Sequence, residues 1–145
     1  MTVGKRGSVY WKDGETLRIR LMTDGYIEAS DDGTKRRRHF GLKHLYHMAK
    51  GRTWPEDCLA AGCPRCLQGY KPTARYEIDV DIVTDGAPQR HVVYFAPSLD
   101  NAFAALVEKA ISLGMDPREM WWDVTKLPKY PYWTVALVET EAGGA

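Results

Sequence analysis

The sequence has few cysteines and no long apolar run. Its 145 residues include three cysteines, which all lie between positions 58 and 66. An odd number of cysteines in so short a segment does not suit a disulfide framework and favours a metal site in a reducing compartment. No stretch approaches the roughly 20 apolar residues that a membrane helix needs, and no apolar segment follows the basic N-terminus, as it would in a secretory signal. We therefore expect a cytoplasmic protein with no membrane partner.

The motifs of common enzyme classes are also missing. The sequence contains no glycine-rich phosphate loop, nucleophile elbow or HExxH motif. Asp79 and Asp81 are paired acids, but their alternation with apolar residues is typical of the solvated face of a strand. Because two acids on one face are also able to hold magnesium, a metal-dependent nuclease is the enzyme alternative. The sequence predicts that this protein is not an enzyme.

Positive charge is concentrated in one segment, although the formal net charge is only +1. Between Lys35 and Arg75 there are ten Lys or Arg against two acids, which makes this segment +8. The rest of the chain has ten basic residues against seventeen acids, which is −7. Binding of a polyanion depends on local cation density, because each neutralised phosphate releases counterions. The segment is therefore a candidate phosphate-binding surface, and a solvated loop is the alternative.

Alternating apolar residues predict a mainly β fold. Strands are predicted over 16–22, 76–82, 92–95, 121–125 and 132–138, with a hairpin turn at 31–33. Residues 39–48 fit either a strand or a short helix. Apolar residues at helical spacing after Ser98 predict one amphipathic helix, with Ser98 as its N-cap and Gly114 at its end. About five strands and one helix in a single domain, residues 1–145, predict a small barrel, for which the oligonucleotide-binding (OB) barrel is the commonest candidate.

The segment Cys63-Pro64-Arg65-Cys66 is the most specific motif. Its spacing is typical of a knuckle that brings two thiolates onto one zinc ion. Cys58 supplies a third thiolate, and His47 is the preferred fourth ligand on chain reach, with His44 as the alternative. Four protein ligands leave no open position for water, which indicates one structural zinc rather than a catalytic one. We predict an inserted zinc-binding knuckle over 44–71, the alternative being three ordinary thiols.

The chain resembles the single-stranded-DNA-binding proteins of tailed bacteriophages, in which an OB barrel carries an inserted zinc knuckle. The similar segments are Trp11-Lys12-Asp13-Gly14-Glu15 with Leu17-Arg18-Ile19-Arg20-Leu21, Cys63-Pro64-Arg65-Cys66, Gly69-Tyr70-Lys71-Pro72 with Arg75-Tyr76, the helix from Ser98, and Tyr132-Trp133-Thr134-Val135. The likeness covers about residues 9–138. It implies sequence-tolerant coating of single-stranded DNA in replication or recombination, in the cytoplasm of a phage host. Self-association along the strand and contacts with replication or recombination proteins are further implications.

A coating protein needs cations for the phosphates and flat rings on which any base can stack. The phosphate candidates are Arg18, Arg20, Arg36, Arg37, Arg38, Lys43, Lys71 and Arg75. The stacking candidates are Tyr46, Trp54, Tyr70, Tyr94 and Trp133. For each aromatic residue the alternative is a place in the core, because rings dominate the buried area of small domains. A zinc-bearing module that binds a protein partner, for example in transcription, is the alternative to DNA binding.

Overall fold

The computed structural model describes residues 1–4, 7–30, 32–48, 55–59 and 61–139. Its fold is mainly β, which confirms the class predicted from apolar alternation. The strands in this part of the chain are β1 Thr2–Val3, β2 Val9–Tyr10, β3 Thr16–Leu21, β4 Tyr26–Ala29, β5 Arg36–His39, β6 Leu42–Met48, β7 Pro55–Asp57, β8 Thr73–Thr84, β9 Ala87–Phe95, β10 Trp122–Lys126 and β11 Trp133–Leu137. The predicted number of five was too low, because several of these strands are too short to show apolar alternation.

One large sheet carries most of the strands. Its neighbours follow the order β1-β2-β9-β8-β3-β10-β11, and β6 extends it by pairing with both β8 and β7. Strands β4 and β5 form a separate hairpin, as the turn signal at 31–33 predicts. Within the described residues β1 does not pair with β11, so closure of the sheet into a barrel is not observed.

The central strand β8 separates two sides of the sheet. Its even-numbered residues from Tyr76 to Ile82 are buried in the core. The odd-numbered residues from Arg75 to Val83 point to the opposite side, since successive side chains of a strand alternate. We call this opposite side of β3, β8 and β9 the outer face. The apolar alternation seen in the sequence therefore identified which side of β8 faces the core.

The longer helix, α2 Pro97–Ser112, packs on the core side of the sheet. The ring of Phe103 in this helix stacks on Phe95 of β9, with centroids 5.2 Å apart. The predicted N-cap, Ser98, is wrong: the N-cap is Ala96, and no side chain caps the helix. Pro97 follows Ala96 and occupies the first helical position. A backbone N–H at this position has no partner within the helix, so the N–H that proline lacks costs no hydrogen bond.

A second helix, α1 Pro64–Leu67, is a single turn inside the cysteine motif. The prediction of one helix is therefore wrong, because four residues are too few to show helical periodicity. A short 3-10 helix at Pro117–Glu119 precedes β10. Among the described residues no helix has the length and apolarity to cross a membrane.

Between β3 and β8 the chain contains the β4–β5 hairpin, β6, β7 and α1. Strand β6 pairs with the first part of β8, in a register that runs from Leu42 opposite Glu77 to Tyr46 opposite Thr73. A Cβ atom on Gly41 would overlap the backbone of Glu77. The close approach of β6 to β8 thus requires glycine at this position.

Candidate metal centre and nucleic-acid interface

Four potential metal ligands come from neighbouring short elements. His47 lies on β6, Cys58 directly follows β7, Cys63 is the N-cap of α1 and Cys66 lies within that helix. Strands β6 and β7 are antiparallel, and the backbone N–H of Cys58 extends this pairing by donating to the carbonyl of Leu45 at 2.9 Å. The hairpin thus returns Cys58 to the side of His47, and the turn of α1 adds the other two thiols.

The ligand atoms of these four residues all lie within 4.8 Å of one another. The Sγ atoms of Cys58 and Cys66 are 3.7 Å apart, and His47 Nε2 is 3.5 Å from both Cys63 Sγ and Cys66 Sγ. Zinc–sulfur bonds of about 2.3 Å and zinc–nitrogen bonds of about 2.0 Å at tetrahedral angles would place two sulfurs about 3.8 Å apart and sulfur and nitrogen about 3.5 Å apart. The three separations match these values, and the four side chains lie close together in an arrangement compatible with one metal ion.

The polypeptide already favours a thiolate on the inner side of the cluster. His47 and Cys63 are each 2% exposed, whereas Cys66 is exposed. Backbone N–H groups, first that of Cys66 and then that of Leu59, hydrogen-bond to the Cys63 thiol and lower its pKa to about 6. Desolvation and the neighbouring thiols raise the pKa of Cys66 to about 11. A bound cation would favour the thiolate form at both positions.

The alternative ligand, His44, is not part of this cluster. It is three residues from His47 on the same strand, so the two side chains point to opposite sides of β6. The Nε2 atom of His44 lies 3.8 Å from a carboxylate oxygen of Glu77, and its ring contacts Tyr94 edge-on with centroids 6.2 Å apart. Alternation along β6 therefore selects His47 as the ligand.

A second group of side chains lies on the outer face beside β6. The guanidinium carbon of Arg75 is 4.1 Å from the ring centroid of Tyr94 and 5.2 Å from that of Tyr46. The Arg75 Nε atom is buried and has no hydrogen-bond partner among the described residues. The hydroxyl of Tyr94 donates to Glu77 at 3.0 Å. We call Tyr46, Arg75, Tyr94 and His44 the stacking cluster, because it combines one cation with three flat rings.

Two of the predicted phosphate ligands are bound to acids elsewhere on the outer face. Arg18 makes two hydrogen bonds to Asp123, of 2.9 and 3.0 Å. Arg20 donates to Asp81 at 2.8 Å and lies over the Trp121 ring at 4.8 Å. These pairings reduce the free positive charge that either arginine could offer to a phosphate. The sequence gives no local signal for them, because they join strands that are far apart along the chain.

Replacing Asp81 by asparagine should lower stability by about 1–3 kcal/mol at pH 7, since this buried carboxylate accepts from both Arg20 and Arg90. These two arginines lower the pKa of Asp81 below its ordinary value. A folded pKa below the unfolded value of about 3.9 means that the stabilisation is present above that pH and is lost as the pH falls through the folded pKa. Urea unfolding at neutral pH and at about pH 3 would measure both effects.

The matched control for this change is Asp79→Asn, which alters an exposed acid two residues away on the same strand. We expect it to change stability by less than about 0.5 kcal/mol. Equal effects of the two substitutions, or an Asp81 effect that persists unchanged in acid, would contradict the role assigned to Asp81.

The remaining predicted contacts differ in their exposure. Lys43, Tyr70 and Lys71 are exposed. Trp133 is partly buried against the core, with its ring edge-on to Trp11 at 5.4 Å. Trp54 lies outside the described residues. The predicted arginines of β5 are Arg36 and Arg37, which are exposed, and Arg38, which is partly buried.

Sequence reasoning did not assign Glu77 or Trp121 to this surface. Glu77 belongs to the same alternating series as Arg75, so the period of two along β8 was a usable signal. Trp121 lies just before β10, and its contact with Arg20 depends on the pairing of β10 with β3. No local sequence pattern predicts such a contact.

No protein-family model, curated protein or solved structure matches this chain. The side chains that the fold brings together are therefore the basis for inferring function. They are above all the stacking cluster and the group of four potential metal ligands, which we call the metal cluster: His47, Cys58, Cys63 and Cys66.

Proposed function

We propose that this chain binds single-stranded DNA with little sequence preference and that one structural zinc ion stabilises the binding region. The observation that carries the proposal is the stacking cluster, in which the guanidinium of Arg75 lies over the rings of both Tyr46 and Tyr94. Every base has a flat surface, so aromatic platforms bind unpaired nucleotides without reading sequence. A duplex hides those surfaces in its own stack, which favours the single-stranded form.

The local charge supports the same ligand. The stacking cluster belongs to β6, β8 and β9, and β6 lies within the segment 35–75, whose charge is +8. Lys43 and Lys71 are exposed cations of this segment. Because a nucleic-acid backbone is attracted by local cation density, this segment would hold the strand while the rings take up its bases.

Zinc is the metal that suits the cluster of His47, Cys58, Cys63 and Cys66. Three thiolates and one imidazole form a soft donor set, which magnesium and calcium do not prefer. The four protein ligands complete a tetrahedron and leave no position for a substrate. Bound zinc would join β6, β7 and α1, and it would thereby hold the strand that carries Tyr46.

We also propose that the architecture is an open form of the OB fold. Strands β3, β8 and β9, helix α2, and strands β10 and β11 follow one another along the chain as three strands, a helix and two strands. The OB fold is a five-stranded, partly open barrel whose second and third strands bind oligonucleotides, together with neighbouring loops. In this correspondence β8 and β9 are the binding strands, and they carry Arg75 and Tyr94.

The resemblance to phage single-stranded-DNA-binding proteins extends the proposal to a biological role. The role is to coat exposed DNA during phage replication or recombination, in the cytoplasm of the host. Replication or recombination proteins and further copies along the strand would be its partners. No enzymatic activity belongs to this proposal.

A zinc-bearing module that binds another protein is the second candidate. Leu59 and Leu67, which flank the cysteine motif, are 66% and 81% exposed. Exposed apolar side chains near a metal knuckle would suit a protein partner. This candidate predicts a protein ligand and no preference for single strands.

Titration with poly-dT should give tight binding that weakens steeply with salt, and duplex DNA of equal length should bind much more weakly. The logarithm of the binding constant should fall with the logarithm of salt concentration with a slope of about −0.7 for each phosphate neutralised. Tryptophan fluorescence at about 50 and about 200 mM salt would measure the slope. Equal affinity for the two forms of DNA would overturn the proposal.

A further inference from the structure

A second cationic site lies on the other side of the molecule, between the β4–β5 hairpin and α2. It is an open groove of about 420 Å³, which we call the arginine groove. Its lining consists of Ile27, Arg36, Arg37, Arg38, Ala104, Ala105 and one acid, Glu108. The two alanines of α2 and the isoleucine of β4 give it an apolar floor, and the arginines of β5 give it positive charge.

One of the three arginines is structural. The Nε atom of Arg38 donates to Glu108 of α2 at 2.6 Å, and its NH1 nitrogen donates to the carbonyl of Asp24 at 2.7 Å. Its side chain is only 14% exposed. Arg38 therefore joins the hairpin to the helix and has little capacity left for a ligand.

A buried pair fixes the same hairpin at a second point. The Nδ1 atom of His39 is 2.7 Å from a carboxylate oxygen of Asp100 in α2, and both residues are buried. The His39 ring also stacks on Tyr76, with centroids 4.9 Å apart and planes 13° from parallel. With Arg38 and His39 both held, the groove is formed before any ligand arrives.

The other two arginines are available. Arg36 and Arg37 are both exposed, and their side chains make no hydrogen bond or ion pair with any residue that the structure describes, although their backbones pair with β4. A guanidinium group presents planar donors that match the oxygens of a phosphate. Arg36 and Arg37 are successive residues of β5, so their side chains leave the strand on opposite sides, and both residues border the groove. Guanidinium groups beside an apolar floor suit a ligand that combines phosphates with flat apolar parts, which is the chemistry of a nucleotide chain.

The arginine groove and the stacking cluster are on opposite sides of β8 and β9. Arg75 and Tyr94 point to the outer face, whereas Phe95 points to the core and stacks on Phe103 of α2. Helix α2, which lines the groove, thus lies behind the sheet that carries the cluster. A strand that contacts both sites must therefore pass around an edge of the sheet, which a long oligonucleotide does more readily than a short one.

We propose that the arginine groove binds the phosphate backbone of the same nucleic-acid strand whose bases occupy the stacking cluster. The inference rests on the proposed function and adds a second contact to it. One strand would follow a two-part path, with its bases at the stacking cluster and its phosphates at the arginine groove. A strand held at the cluster is present at the groove at a high effective concentration, which favours this ligand over an acidic peptide. Arg36 and Arg37 contact phosphate in this arrangement, and Arg38, His39 and Asp100 position them.

The test compares an Arg36→Gln/Arg37→Gln double variant with wild type on oligo-dT of about 6 and about 20 nucleotides, lengths chosen from the range of known site sizes. On the long oligonucleotide the salt slope should become less steep by about 1.4, which corresponds to two phosphates at about 0.7 each. On the short one, affinity and slope should stay unchanged. A Lys12→Gln/Arg118→Gln variant, which removes the same charge from exposed positions outside both sites, is the control.

The possible outcomes are distinct. An effect confined to the long oligonucleotide supports the two-part path. The proposal is overturned if the double variant changes the salt slope equally on both lengths or on neither. It is also overturned if the control variant shows the same loss of slope. Loss of poly-glutamate binding with unchanged DNA binding also overturns it and assigns the groove to an acidic peptide. Failure of wild type to bind either oligonucleotide refutes the proposed function itself.

Discussion

Replacing His47 by alanine should release the metal, whereas replacing His44 by alanine should leave it bound. The Nε2 atom of His47 lies 3.5 Å from two of the cysteine sulfurs, and the His44 ring lies on the other side of β6. Groups that only orient a metal ligand change affinity by about 10–100-fold, so loss of a ligand should weaken zinc binding by more than about 100-fold. Metal content by mass spectrometry and competition with a chelator would measure this difference.

The stability of the fold should depend on the bound metal. Binding energy at a structural zinc site is folding energy, so His47→Ala and Cys63→Ser should both lower the urea midpoint, and added zinc should not restore it. A chelator should lower the midpoint of the wild-type protein and of His44→Ala to a similar extent. Native protein that contains no zinc would show that the assigned metal is wrong. Retention of zinc by His47→Ala together with its loss from His44→Ala would show that the assigned ligand is wrong.

Replacing Tyr94 by alanine should weaken binding of poly-dT by about 5- to 150-fold, because stacking on one aromatic ring contributes about 1–3 kcal/mol per base. Tyr46→Ala should have an effect of the same kind. Tyr94→Phe keeps the ring and removes the hydroxyl that donates to Glu77, so it should retain most of the affinity. Equilibrium titration at one fixed salt concentration would compare the variants.

The matched control is Tyr10→Ala. Tyr10 is half exposed on β2, which pairs with β9 through Val9 and is not part of the stacking cluster. Its removal should leave DNA affinity within about twofold of wild type while taking away an equivalent ring. If Tyr10→Ala weakens binding as much as Tyr94→Ala, or if neither does, the stacking cluster is not the base-binding surface.

The metal cluster was largely predictable because its signal is local. The spacing of Cys63 and Cys66 and the nearness of Cys58 are properties of one short segment. The choice between His44 and His47 depended on whether residues 39–48 form a strand, which their apolar pattern did not decide. Once β6 is known to be a strand, the odd separation of the two histidines places them on opposite sides.

The partners of the arginines were not predictable from the sequence. Alternation in β3 indicated an exposed face for Arg18 and Arg20, but their binding to Asp123 and Asp81 depends on which strands become neighbours. Arg38 looked equivalent to Arg36 and Arg37 in the basic run. Its contact with Glu108 arises only when the hairpin packs on α2. Pairings of this kind join residues 61 to 105 positions apart.

Strand β8 has different neighbours along its length. Its first part, from Thr73 to Glu77, pairs with β6, and its second part, from Val80 to Ile82, pairs with β3. The first part is thus tied to the β6–β7 hairpin, which contributes to the group of four potential metal ligands, and the second part is tied to β3. Arg75 lies in the first part, so loss of the proposed zinc ion should weaken the proposed DNA binding while the core stays packed. Along this one strand, amide protons of the first part would exchange with solvent well before those of the second.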